Sequence, residues 1–342
     1  VGSGSPSGPD AFDGLASLPG LVLPRAPLGR LPTAIVPLAP GLWGFDESAV
    51  SPSYGGNKLR KLEVLLARAR ARGATDILTF GAAGSHHAIA VAVHAAPLGV
   101  RTRVVLLPQA DTPHARANLA RTASLAVAYP TAAAAAPCAV ARAFRDVHRA
   151  GGRMYVIPVG ASNAYGTVGW VGAGLEIAEA VRAGRLPRPA HVVVASGSGG
   201  TAAGLWEGAR LGGLDTHVVA VDVSGMPLAR VWLGVLASGA RARLRRHGAR
   251  LPAQSGATLT VDRSWVLDGY GRPHPSVDAA IEAARTLGVQ VDPTYTARSF
   301  GAALALVRGG SGPVLWVNTF SRVAPPPGEA DLAPHLSALL RR

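Results

Sequence analysis

Of the 34 basic residues in this 342-residue chain, only Lys58 and Lys61 are lysines; the other 32 are arginines. A guanidinium stays protonated, whereas an amine can lose its proton and attack a carbonyl. Both amines lie in one segment, Tyr54-Gly-Gly-Asn-Lys-Leu-Arg-Lys-Leu-Glu63. Asn57 reads as a helix N-cap, followed by an apolar face of Leu59, Leu62, Leu65, Leu66 and Ala69, with Gly73 as the stop. Lys58 thus falls in the first turn, where the positive end of the helix lowers an amine pKa and favours imine formation with an aldehyde.

Two further segments pair glycines with a helix start. Ala195-Ser-Gly-Ser-Gly-Gly-Thr201 offers bare N–H groups at Gly197, Gly199 and Gly200, and hydroxyls at Ser198 and Thr201, which are the requirements of a phosphate cradle. No Walker lysine follows, and the spacing departs from a dinucleotide fingerprint. Thr79-Phe-Gly-Ala-Ala-Gly-Ser-His-His-Ala88 repeats the strand–glycine–helix pattern, with Ser85 placed to meet a carboxylate. His86 and His87 do not read as a metal site, because adjacent helix positions diverge by about 100° and no His-Glu-x-x-His or cysteine pattern supports them. Tyr270 in Gly269-Tyr-Gly271 and Tyr295 in Pro293-Thr-Tyr-Thr296 sit in turn-like loops, as proton-transfer candidates or as packed rings with satisfied hydroxyls.

These loops need a scaffold of strands and crossover helices. Candidate strands are Asp76–Phe80, Arg103–Leu107, Leu125–Ala128, Met154–Ile157, His191–Ala195, Val218–Val223 and Val314–Asn318. Helical stretches alternate with them at 58–72, 85–95, 139–150, 169–182, 201–210, 276–287 and 298–307, which implies mostly parallel sheets with covered faces. Residues 1–20 read as a flexible tail without an export signal. With 48% apolar and 16% charged residues the chain builds a large core and is not disordered. No apolar run reaches the ~18–20 residues of a membrane span. A single cysteine, Cys138, read as a small packed hydrophobe, fits a reducing, cytoplasmic setting. The net charge of +14 includes the cluster Arg241, Arg243, Arg245 and Arg246, but no aromatics interleave, so it reads as a solvated helix face and not a nucleic-acid site.

Together, Gly-Gly-Asn-Lys58, Gly197-Ser-Gly-Gly-Thr201, Gly269-Tyr-Gly271 and Pro293-Thr-Tyr-Thr296 resemble the D-cysteine desulfhydrase and 1-aminocyclopropane-1-carboxylate (ACC) deaminase family. Gly160-Ala-Ser-Asn163, Gly174-Leu-Glu-Ile177 and Asp268–Arg272 extend the match over about residues 20 to 320. The resemblance implies a pyridoxal 5′-phosphate (PLP) enzyme of the tryptophan-synthase-β-like fold (PLP fold type II), an α/β protein of two lobes. The large lobe would comprise 21–65 and 165–342, and the small one 66–164. It implies that Lys58 carries the cofactor as an imine, that Gly197, Ser198, Gly199, Gly200 and Thr201 hold its phosphate, and that Ser85 faces the substrate carboxylate. Tyr270 and Tyr295 would lie near the substrate, and Thr296 would contact the pyridine nitrogen.

Two departures stand out. Gly84-Ser-His-His87 replaces the family's Gln-Ser-Asn-His, so His86 takes the place of the asparagine at the cofactor's phenolic oxygen. Asn318-Thr-Phe-Ser321 replaces a His-Thr-Gly-Gly-like segment. Thr296 occupies the position where ACC deaminases resemble one another in carrying glutamate; a hydroxyl there gives a weaker electron sink, sufficient to expel a good leaving group. The expectation is therefore a homodimeric enzyme acting on a small D-amino acid. Alternatives are ACC deamination, a divergent lyase or β-replacement reaction, or a basic binding protein that keeps the fold without turnover.

Overall fold

The β-branched runs of the sequence become strands of two main sheets in the computed structural model, which describes residues 13–324, 327 and 332–341. The chain first forms the hairpin β1 (Ala34–Ala39) and β2 (Leu42–Asp46), then α1 (Lys58–Ala71). A small lobe follows, made of β3 (Asp76–Ala82), α2 (His86–Ala95), β4 (Arg101–Leu107), β5 (Gln109–Ala110), α3 (Pro113–Leu125), β6 (Val127–Pro130), α4 (Ala136–Arg149) and β7 (Met154–Val156). The large lobe continues with α5 (Ala164–Arg182), β8 (His191–Ser196), α6 (Gly200–Leu211), β9 (His217–Asp222), α7 (Ala229–Arg246) and β10 (Thr258–Asp262). It closes with α8 (Pro275–Thr286), α9 (Thr296–Arg308) and β11 (Val314–Asn318), before α10 (Pro334–Ser337) and β12 (Leu340–Arg341).

The large sheet has the order β1-β2-β11-β8-β9-β10 and the small one β6-β4-β3-β7; every pairing in them is parallel except β1 with β2. Helices cover both faces of the large sheet, so β11 is buried at all five positions and β8 reads Val-Val-Val-Ala through its middle. Trp170, Leu205 and Leu233 fill one face beneath α5, α6 and α7, while Phe300 packs edge-on against Trp316 on the other. Helices α5 and α6 approach closely at Gly174 and Gly208, where a Cβ on Gly208 would meet the Val171 carbonyl oxygen at 2.3 Å.

Four expectations need correction. Of the proposed tail, residues 1–12 lie outside the described residues, but 13–20 are anchored: Leu15 and Leu18 are buried against α5 and α7. Cys138 is exposed on α4 rather than packed. The C-terminal strand β12 pairs with β5, and Leu336 and Leu339 join the small-lobe core, so the end of the chain returns to that lobe. Arg241 is only partly solvated, because its guanidinium binds both oxygens of buried Glu207 at 2.7 and 3.1 Å. No helix among the described residues is long and apolar enough to cross a membrane.

Candidate active site

Between the lobes lies a cavity of about 600 Å³. Lys58, Ser85, His86, Gly197, Ser198, Gly199, Thr201, Tyr270 and Tyr295 all reach its wall, so residues spread over more than 200 positions converge on one space. Gly200 and Thr296 do not line it. The Gly200 N–H turns to the Ser162 hydroxyl at 3.1 Å, and the Thr296 hydroxyl donates to the buried carboxylate of Asp292 at 2.7 Å.

Lys58 opens α1, yet Asn57 does not cap it: the Asn57 backbone is already helical and its side chain makes no cap bond. Its carboxamide instead accepts from Lys58 Nζ at 2.7 Å and donates to Thr201 Oγ1 at 2.9 Å, tying the amine to the glycine-rich loop. Trp170 Nε1 holds the Asn57 carbonyl at 2.8 Å. The Lys58 amine is pushed down to about 8, and the cause is burial, partly opposed by the charge of Asp292. The expected lowering is thus present, but its main source is desolvation and not the helix end.

Lys61, one turn on, is a site residue that sequence reasoning passed over. It is buried, and Nζ donates to the Gly160 carbonyl and the Ser162 hydroxyl, both neutral, at 3.1 Å. Burial and the neighbouring Lys58 hold this amine well below the ordinary lysine range. Its signal was the scarcity of lysine itself, but helix periodicity placed Lys61 beside the apolar stripe and gave it no role.

The loop after β8 turns sharply at Gly199 (φ +85°) before α6 begins. A Cβ on Gly200 would sit 2.6 Å from Ser162 Oγ and 3.0 Å from Lys61 Nζ, and one on Gly160 would meet Ser198 Oγ at 2.0 Å. Only bare backbone fits. The resulting cradle combines a helix N-terminus, the Ser162 and Ser198 hydroxyls 2.8 Å apart, Thr201 and a buried amine. Buried amines beside the bare backbone of a helix N-terminus suit an anion, and a phosphate monoester would provide one. The residues present therefore fit a phosphate-bearing aldehyde cofactor.

Ser85 caps α2, accepting from the Ala88 N–H at 3.3 Å. Opposite, the Tyr270 and Tyr295 hydroxyls lie 2.6 Å apart, and the Lys58 ammonium sits 5.9 Å from the Tyr295 ring centre. Burial raises both phenols, so they keep their protons. The Tyr270 loop is fixed by buried Arg298, whose guanidinium donates to four carbonyls, those of Trp265, Val266, Gly269 and Arg272, at 2.8 to 3.0 Å. Asp292 fixes Tyr295 by accepting from its N–H at 2.8 Å. His86 has both ring nitrogens engaged, Nδ1 with Tyr54 and Nε2 with His114.

A two-lobed parallel α/β fold with this cleft is the architecture of an enzyme that binds its cofactor between lobes. The chain belongs to the pyridoxal-phosphate dependent enzyme family, whose model matches residues 26–318. It is 36% identical over 318 residues to nocardicin C-9′ epimerase of Nocardia uniformis subsp. tsuyamanensis, covering 87% of this chain and 93% of the relative. It is 33% identical over 283 residues to D-cysteine desulfhydrase of Yersinia pestis (strain Pestoides F), covering 78% and 82%. The solved structure of an ACC deaminase homologue superimposes with a TM-score of 0.74 at 26% identity, over 96% of this chain and 98% of the other. The expected family and cofactor are borne out, and the chain is a PLP-dependent enzyme.

Proposed function

We propose that this enzyme removes the α-proton of a small D-amino acid and expels its β-substituent, giving pyruvate, ammonia and sulfide from D-cysteine. One observation carries the reading: a buried amine at Lys58, tethered by Asn57 between a phosphate cradle and the Ser85 helix start. Bound PLP supplies the aldehyde and the electron sink for the pair left at Cα. Gly197–Thr201 and Lys61 would hold its phosphate. The Ser85 hydroxyl and the first N–H groups of α2 orient the substrate carboxylate. With its pKa near 8, Lys58 is uncharged in an appreciable fraction at neutral pH and takes the α-proton at Nζ. Tyr270 and Tyr295, which keep their protons, donate to the departing group. Thr296, whose hydroxyl donates to Asp292, would offer the cofactor ring no carboxylate of its own, which favours substrates with a good leaving group.

A second reading is epimerisation at Cα of an amino acid with a larger side chain. It is favoured by Val159, Met226 and Trp232, which add apolar surface to the cavity wall, and by the extent of the similarity to the epimerase. The test is to load the protein with PLP, reduce it with borohydride and map the labelled peptide, then assay D-cysteine, β-chloro-D-alanine, ACC and both phenylalanine enantiomers. We expect label on Lys58, sulfide from D-cysteine, and neither with Lys58→Ala. Turnover confined to ACC, or inversion without elimination, overturns the elimination reading.

A further inference from the structure

We propose that Tyr54, His86 and His114 form a proton chain linking the cavity at Lys58 to half-buried His114 at the start of α3. The inference deepens the reading of Lys58 as the base. Tyr54 Oη lies 2.6 Å from His86 Nδ1, and His86 Nε2 lies 2.9 Å from His114 Nε2. Two imidazole nitrogens at that separation share one proton between them. The polarity of the chain follows from Tyr54. Burial keeps its hydroxyl protonated, and among the described residues His86 is the one partner of that hydroxyl, so the O–H donates to Nδ1. His86 is then the Nε2–H tautomer and donates to His114, a half-buried residue that carries its own proton on Nδ1. Burial pushes His86 down to about 4; Asp292 pulls the other way, while His114, Lys58 and Arg121 add to the lowering, so the ring is neutral at rest. Asn118, from α3, donates to the Gly84 carbonyl at 3.1 Å, and its Nδ2 stands 3.3 Å from His114 Nε2, the acceptor of the pair.

At the inner end a polar recess of about 30 Å³ is lined by Tyr54, Lys58, His86, Asp292 and Tyr295, room for roughly one water molecule. A proton entering at the Tyr54 oxygen moves that residue's own proton to His86 Nδ1. The Nε2 proton passes to His114 Nε2, and the His114 Nδ1 proton leaves to solvent. One proton has entered and one has left, and every hydrogen bond in the chain now points the other way. The reversed chain is set to deliver one proton inward. A reaction that takes an α-proton and later returns a proton to the product needs that alternation.

The test has two arms. In the full chain without cofactor, ¹⁵N NMR of labelled histidine should show His86 as the neutral Nε2–H tautomer. In the PLP-loaded enzyme, His114→Gln keeps an acceptor for His86 but cannot pass a proton on. It should retain the tautomer and the visible PLP band while slowing solvent deuterium incorporation at Cα by roughly tenfold or more. Tyr54→Phe should slow it similarly. His86 found as Nδ1–H, or wild-type deuterium incorporation in both variants, overturns the chain. A PLP-loaded wild type that exchanges no α-proton sinks the functional reading instead, and the tautomer still decides the chain.

Discussion

Helix α1 buries cations on two sides and treats them in opposite ways. Arg60 is 2% exposed and finds its anions inside the fold: Nε binds Glu47 at 2.8 Å, and both terminal nitrogens bind Glu176 at 2.9 and 2.7 Å. Thr33 accepts from it as well, and the Phe45 and Trp170 rings lie 5.6 and 5.8 Å away. Lys58 and Lys61, two positions before and one after, meet only neutral oxygens at hydrogen-bond distance. Burying an ion is tolerable when its partner is buried with it and costly when it is alone. The arginine is therefore part of the scaffold. On the function proposed above, the lysines would receive their anion and their carbonyl from outside the chain.

The sharpest way to break this contrast is Arg60→Met. It leaves Glu47 and Glu176 buried without their cation, and removing one partner of such a pair costs about 3–5 kcal/mol. Urea unfolding should show that loss, and adding Glu47→Gln and Glu176→Gln should restore much of it. A loss below about 1 kcal/mol would show that Arg60 is no more structural than a surface ion pair.

Lys61→Met should act with the opposite sign on the unloaded chain. The folded-state pKa of Lys61 is depressed, so the unfolded chain binds the extra proton at neutral pH and folding is penalised. That penalty is greatest at low pH and vanishes as pH rises towards the ordinary lysine value of 10.5. Without the amine, the unloaded protein should melt no lower than wild type at pH 7, and any gain should shrink as pH rises. PLP binding should weaken by roughly 10–150-fold, the worth of one hydrogen bond to a charged group. Differential scanning fluorimetry and titration of the visible band separate the two effects.

The same contrast explains what was legible in the sequence. Gly197, Gly199 and Lys58 could be read directly because bare backbone and a primary amine are local properties of residue type. Arg60, Lys61 and Asn57 could not, because helix periodicity assigns α1 one apolar face, whereas the helix is wedged between lobes and buried nearly all round. Asn57 has a cap's composition, but its carboxamide is drawn away by Thr201, 144 positions on. His114 was hidden for another reason: α3, which opens at Pro113, is missing from the expected helices, so nothing placed its first turn beside α2. The hairpin β1–β2 escaped notice because Pro37 and Gly41 break its pattern, although it completes the large sheet through a parallel pairing with β11.

The pH dependence of cofactor attachment gives the finest measure of the contrast. Only the uncharged amine attacks an aldehyde, so attachment to the unloaded protein should quicken about tenfold per pH unit below the Lys58 pKa and level off above it. Burial sets that midpoint at about 8, where an unperturbed lysine would keep gaining to 10.5. Asp292 is the one charge acting against the burial, since its carboxylate favours the ammonium form. Asp292→Asn keeps one oxygen to accept from the Thr294 and Tyr295 N–H groups and removes the charge, giving up the acceptor that meets the Thr296 N–H. Its midpoint should therefore fall below 8, speeding attachment at pH 7 by a few fold while leaving the plateau rate in place. Stopped-flow absorbance across pH 6–10 reads both quantities. A wild-type midpoint near 10, or an upward shift in Asp292→Asn, would mean that Lys58 is solvated as an ordinary lysine is, and that its side of α1 does not differ in kind from the rest of the helix.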